Sequence, residues 1–267
     1  MKANVGAIEL TFLGTRGELK IRSHRHRRHS SLLVHHGDTY TMIDCGADWL
    51  GRLRAIAPTA ILLTHAHSDH AAGLAEGAPC PVYATKKTLD LLHRYPIHDR
   101  HTLVQRKSIT IGGVKFEAFP VQHSIRAPAV GYRGSAGNRS FFYLPDVAEL
   151  RDISAALGGV DIYIGDGATM RRSMVRQKYG RLIGHAPITT QLGWCEKAGV
   201  RRAIFTHCGS PIVRGDSRQV EKIVRRLGLE RGVDARIAYD GLMLAMDRDF
   251  VSWDPGAGAG RLPIAKP

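Results

Sequence analysis

Apolar positions in the first half of the chain fall into short runs, several alternating with polar residues at a period of two. AIELTFLG (7–14), SSLLVHHG (30–37), TYTMIDCG (39–46) and AILLT (60–64) read as strands, with a short helical piece near 47–56. TKKTLDLLHRY (85–95) reads as a helix. SITIGG and VKFEAFPV, spanning 108–121, read as a hairpin because two glycines separate β-rich runs. AVGYRG (129–134) and SFFYLPD (140–146) predict another strand pair.

The second half alternates differently. VDIYIGDG (160–167) has the pattern of a buried strand. TTQLGWCEKAG (189–199) is a helix with Leu192, Cys195 and Ala198 on one stripe, stopped by Gly199. RRAIFTH (201–207) is a strand, DSRQVEKIVRRLGLE (216–230) a helix with an Asp/Ser start, and ARIAYDGLMLAM (235–246) a final strand or hairpin. Meandering strands followed by strand–helix–strand units predict a mixed α/β domain whose sheets are covered by helices.

The 267 residues suit one large domain or two small ones. No repeat or linker divides the chain, so a single domain over 1–254 is expected, with 255–267 as a loose tail. The 43% hydrophobic and 23% charged content is that of an ordinary soluble protein. Cys45, Cys80, Cys195 and Cys208 lie far apart and form no C-x-x-C pair, which argues against a disulfide framework and for a reducing compartment. No signal-length apolar core and no membrane-spanning run is visible, so a cytoplasmic protein without a membrane partner is expected.

Charge changes the picture. The net charge of +14 favours polyanions or anionic substrates, although an arginine-rich surface alone gives the same number. Three clusters stand out, at 22–30 (RSHRHRRHS), 170–181 (MRRSMVRQKYGR) and 224–232 (VRRLGLERG). The last is most simply the polar face of a helix.

The densest chemistry is LTHAHSDHAAG (63–73), directly after an apolar run. His65 and His67, two apart, point the same way in extended chain, whereas the adjacent Asp69 and His70 diverge toward another point. One loop can therefore feed two cation positions with imidazole and carboxylate donors, a set suited to zinc, manganese or iron.

This H-x-H-x-D-H segment resembles the signature of the metallo-β-lactamase superfamily, and further matches follow in the family's order. They are MIDCG (42–46), FPVQHS with His123, FYLPD with Asp146 and AIFTHCG with His207. The resemblance implies a four-layer αββα sandwich with two divalent metal ions, zinc first and manganese or iron as alternatives. His65, His67 and His123 would hold one ion. Asp69, His70 and His207 would hold the other, with Asp146 between them. Asp44 would brace the metal loop or simply cap its strand.

The segment 181–209, with His185 before a helix, looks like the phosphodiesterase branch: tRNA 3′-processing endonucleases and the cyclic phosphodiesterase of phosphonate breakdown. The resemblance makes Asp69, His185 and Asp166 the candidate catalytic residues, with Asp166 orienting His185. The endonucleases carry a long tRNA-gripping arm between the third histidine and the bridging aspartate; here only 23 positions separate His123 from Asp146. The cysteine-rich zinc site of the phosphonate enzyme is also missing, since no cysteine precedes Cys45.

Arg25, Arg27, Arg28 and His29 are candidate substrate contacts, as are Arg171 and Arg172. The 22–31 loop could instead bind an extra metal or be a solvated basic loop. The expectation is a binuclear phosphodiesterase acting on a phosphate-containing substrate, either a small molecule or nucleic acid. A thioesterase or lactonase of the same fold is the alternative, and a homodimer is left open by the family's habits.

Overall fold

The computed structural model of the chain describes residues 6–247 and the backbone of 251–252. Six strands come first: β1 (Ile8–Gly14), β2 (Ser31–His36), β3 (Thr39–Ile43), β4 (Ala60–Leu62), β5 (Val82–Thr85) and β6 (Arg100–Leu103). Five more follow: β7 (Ser108–Ile111), β8 (Val114–Val121), β9 (Ala129–Ala136), β10 (Arg139–Tyr143) and β11 (Ile162–Asp166). The remainder are β12 (Arg176–Lys178), β13 (Arg181–Ile183), β14 (Arg202–Thr206), β15 (Asp234–Ile237), β16 (Met243–Met246) and β17 (Val251–Ser252). One sheet has the order β17-β16-β1-β2-β3-β4-β5-β6 and the other β15-β14-β11-β10-β9-β8-β7; β12 and β13 form a separate two-stranded ribbon.

The period of two decides which side chains fill which layer. Ile8, Leu10 and Phe12 of β1, Leu32 and Val34 of β2, and Ile162 and Ile164 of β11 all enter the core between the sheets. Their neighbours Leu13 and Leu33 face a second core under the Ala47–Trp49 and Leu53–Ile56 helical turns and the Lys86–Leu91 helix. Tyr163 and Phe205 face a third, closed by the helices Ile153–Leu157, Ile188–Ala198 and Ser217–Leu229. Strands buried on both faces read as nearly continuous apolar runs. The result is the αββα sandwich.

Most expected elements appear within a few residues of their expected bounds. The β7–β8 hairpin turns on Gly112 and Gly113, whose φ of 55° and 79° suit the mirror-image turn that glycine permits. The arginines at 225 and 226 lie on the polar face of the Ser217–Leu229 helix, in i,i+4 pairs with Glu221 and Glu230.

Three differences have physical causes. The helix expected over 85–95 stops at Leu91. Past that point Arg100 takes the carbonyls of Tyr95 (2.6 Å) and Ile97 (2.9 Å), which holds the chain in a turn. The segment 235–246 is one strand in each sheet, because Tyr239–Gly241 carries the chain across the sandwich. β5 and β6 escaped the pattern because four residues give too few alternations. The tail expected at 255–267 lies outside the described residues.

The long β1–β2 connection folds over the end of the sandwich around buried polar groups. Arg16 is almost fully buried and binds Asp48, the Leu19 carbonyl and the Arg27 carbonyl. Asp240 accepts from the amides of Arg27 (2.9 Å) and Arg28 (3.1 Å) and from the Thr15 hydroxyl (2.7 Å). His26, 4% exposed, lies 2.8 Å from that hydroxyl.

Burial, helped by the charges of Arg25 and His24, pushes the His26 imidazole down to about 4. The unfolded chain binds this proton near pH 6.5 and the folded chain resists it, so stability falls as pH drops between these values. Chemical denaturation at pH 7.5 and 4.5 should show wild type losing on the order of 2 kcal/mol more than His26→Gln across that interval. Equal losses would show that His26 is not the group responsible.

Candidate metal centre

The carboxyl ends of strands from both sheets meet at one edge of the sandwich. β3 and β4 run parallel as neighbours, so Asp44, just past β3, lies beside Thr64, just past β4. Asp44 accepts from the Thr64 amide (2.8 Å) and hydroxyl (2.8 Å) and from His70 Nδ1 (2.9 Å). That last bond fixes the His70 tautomer and turns Nε2 inward. The turn that carries Asp69 and His70 packs so tightly on Gly46 that a Cβ there would stand 1.9 Å from the Asp69 carbonyl oxygen.

In the second sheet, β10, β11 and β14 are parallel neighbours. Asp146 and His207 follow β10 and β14, and Asp166 ends β11. His123 follows β8 and donates from Nδ1 to the Gly184 carbonyl at 3.1 Å, leaving Nε2 to face the cluster. All seven residues that the sequence singles out as metal candidates thus converge.

They form two groups. His65, His67 and His123 bring donor atoms within 4.8 Å of one another, as do Asp69, His70, Asp146 and His207. His65 Nε2 is 2.9 Å from His67 Nδ1, and His123 Nε2 is 3.4 Å from the same atom. Asp146 stands between the groups. Its carboxylate is 3.5 Å from His65 Nε2, 2.6 Å from His70 Nε2 and 3.2 Å from His207 Nδ1. Asp69 closes the second group at 3.1 Å from His207 Nε2.

His70 Nε2, His207 Nδ1 and Asp146 Oδ1 are buried without a partner in hydrogen-bond geometry among the described residues. Buried polar atoms are rarely left so, because an unmade bond costs about 1–3 kcal/mol. His207 Nδ1 and Asp146 Oδ1 stand 3.2 Å apart without a bond between them, and nitrogen with carboxylate oxygen is a donor set for zinc, manganese or iron. The residues fit divalent cations.

The electrostatics divide the cluster. Burial opposes charge on every group here. Around Asp69 and Asp146 the histidines outweigh it and hold both carboxyls well below the usual range. The same carboxylates push His70 well above its ordinary value and, with Asp166, His207 up to about 9, so without a cation these two rings hold protons. Burial keeps His65, His67 and His123 neutral, with lone pairs available.

His185 adjoins the cluster. Its Nδ1 lies 2.8 Å from Asp166 and 3.3 Å from Asp146. Despite burial, those two carboxylates push the imidazole up to about 11. Asp166 is itself held by the amides of Val147 (3.1 Å) and Ala168 (2.8 Å).

The substrate candidates lie on the β1–β2 connection and on the segment leading to His185. Arg25 lies over the Tyr239 ring at 4.4 Å and Arg28 over the Trp49 ring at 5.0 Å, so both guanidiniums pack on aromatic faces of the loop's own base. The His29 ring turns to Asp48, 3.1 Å away. The Arg27 amide binds Asp240. From this connection Gly17, where a Cβ would be 3.1 Å from His207, and Glu18, 3.3 Å from the Ser68 hydroxyl, approach the cluster, and His29 lies within reach of the charges of Asp69 and His70. Arg171 and Arg172 are exposed on the segment leading to His185. Sequence reasoning missed Thr64, Asp48 and the Gly184 carbonyl, which act through neighbours distant in sequence; only the position of Thr64 beside the histidine motif was a usable signal.

A family description, the β-lactamase superfamily domain, matches residues 39–208, and the chain belongs to that family. Coenzyme PQQ synthesis protein B of Xanthomonas oryzae pv. oryzae is 25% identical over 70% of this chain and 73% of its own length. Ribonuclease Z of Mycobacterium bovis is also 25% identical, over 79% and 90%. A solved diphosphatase of the PhnP family superposes with a TM-score of 0.67 at 22% identity, covering 90% of this chain and 97% of that one. The chain is therefore of a metal-dependent hydrolase family with nuclease relatives, and its sandwich is the metallo-β-lactamase fold.

Gly46→Ala should force the 65–70 turn outward, lowering stability by about 2 kcal/mol or more and removing the rise in melting temperature expected when zinc is added to the wild type. A variant that melts as the wild type does, both without zinc and with it, would show that the turn tolerates the displacement.

Proposed function

We propose that the protein is a binuclear metal-dependent phosphodiesterase, formed by a single domain over 1–254. The observation that carries this reading is His185, backed by Asp166 at 2.8 Å and standing beside Asp146 at the edge of both donor groups. His65, His67 and His123 would hold one cation, and Asp69, His70 and His207 the other, with Asp146 shared. Zinc is the first candidate, with manganese or iron accepted by the same donors. When bound, a pair of such ions supplies an activated water and charge stabilisation for an in-line displacement.

The chain's own residues supply the rest. Asp44 and the Gly184 carbonyl fix the orientation of His70 and His123. Asp166 holds Nδ1 of His185, so Nε2 is the nitrogen available to donate to the oxygen that leaves phosphorus. The ribonuclease and diphosphatase among its relatives act, by their names, on phosphate-containing compounds, and the net charge of +14 suits such substrates.

The zinc- or manganese-loaded protein should hydrolyse bis(p-nitrophenyl) phosphate, with activity lost on chelation. His185→Ala should lower kcat by roughly 10²–10⁴-fold while metal content stays the same. Turnover of thioesters or lactones in preference to the phosphodiester, with His185→Ala as active as wild type, would transfer the protein to the carbonyl-hydrolysing reading.

A further inference from the structure

Between Asp166 and Glu196 the sequence contains no carboxylate, yet it carries Arg171, Arg172, Arg176, Lys178 and Arg181. The structure raises the middle of this stretch as the β12–β13 ribbon, outside both main sheets. All five cations are exposed, and none has an ion-pair partner among the described residues. Lys178 pairs directly with Arg181, and Arg176 is two residues before Lys178 on the same strand. Directly opposed residues share a face, as do residues two apart, so Arg176, Lys178 and Arg181 present three positive charges on one side. Like charges set opposite each other destabilise a ribbon, which makes this face costly until an anion covers it.

The tip is equally unusual. Tyr179 is 85% exposed and has a φ of +48°, a backbone region that a bulky residue seldom adopts. With Gly180 at +70° it closes a two-residue turn that holds the ring out in solvent. The root, in contrast, is tied to the site: Met174 N donates to the His185 carbonyl (3.1 Å) and Gly184 N to that of His123 (2.9 Å).

We infer that this ribbon is a docking surface for single-stranded nucleic acid, with the cations tracking phosphates and Tyr179 stacking on an unpaired base. A charged track combined with an exposed aromatic is how unpaired strands are gripped, whereas the bases of a duplex are closed to such a ring. The root bonds set the base of the ribbon beside His185 and His123. The choice of ligand rests on the phosphodiesterase reading; the surface itself does not.

The test measures binding apart from turnover. Fluorescence anisotropy of a labelled twelve-nucleotide oligo(dT) and oligo(U) is followed with the full chain in chelator at several salt concentrations. The triple variant Arg176→Gln/Lys178→Gln/Arg181→Gln should bind more weakly, and its log–log salt slope should fall by about 2, at roughly 0.7 per phosphate contact. Tyr179→Ala should lose roughly tenfold in affinity and Tyr179→Phe should keep it. Circular dichroism of each variant checks that the fold is intact. Equal affinity and slope in wild type and triple variant would overturn the inference. So would capture of wild type by phosphatidylglycerol vesicles without oligonucleotide binding. Oligonucleotide binding by a protein that cleaves no phosphodiester would keep this surface and sink the enzymatic reading alone.

Discussion

Asp44, Asp69, Asp146 and Asp166 are all buried at one edge of the sandwich, and the architecture there follows from that constraint. Carboxylates cannot stay ionised together in a medium poor in water unless positive charge lies among them. Six histidines, 65, 67, 70, 123, 185 and 207, fill the spaces between the acids. Protons on some of these rings, or divalent cations held by them, are the two means of balancing the charge. The orphaned atoms of His70, His207 and Asp146 favour cations.

The scaffold imposes this crowding and keeps it in place. Parallel strands in both sheets end at the same edge, so short turns suffice to bring acids and histidines together. Each turn is fixed by a bond from outside the cluster. Asp44 grips Thr64 and His70, the Gly184 carbonyl grips His123, and the Val147 and Ala168 amides grip Asp166. Gly46 lets the metal loop approach closer than any side chain would permit. Stability and site geometry are therefore the same set of contacts seen twice.

What the sequence disclosed follows from the same physics. The mixed α/β pattern was legible because strands buried on both faces keep apolar residues at nearly every position, as in AILLT and VDIYIGDG, whereas the αββα sandwich came from the family resemblance. The 64–70 motif was legible because its donors are neighbours in the chain. His123, Asp146 and His207, up to 142 positions from His65, were legible only through family resemblance, since no local pattern announces a contact at that range. The β12–β13 ribbon was not legible at all: its side chains have no buried face, so MRRSMVRQKYGR shows only charge. Arg25 and Arg28, expected at the substrate, lie over the rings of Tyr239 and Trp49, contacts between residues far apart in sequence that no local pattern announces.

The most direct test is the number of metal ions per chain. Inductively coupled plasma mass spectrometry on protein equilibrated with zinc and freed of excess should find two per chain in wild type, and fewer in an Asp146→Ala variant that remains folded. A wild-type protein that retains no zinc under these conditions would contradict the account, for its buried acids would then be balanced by protons alone.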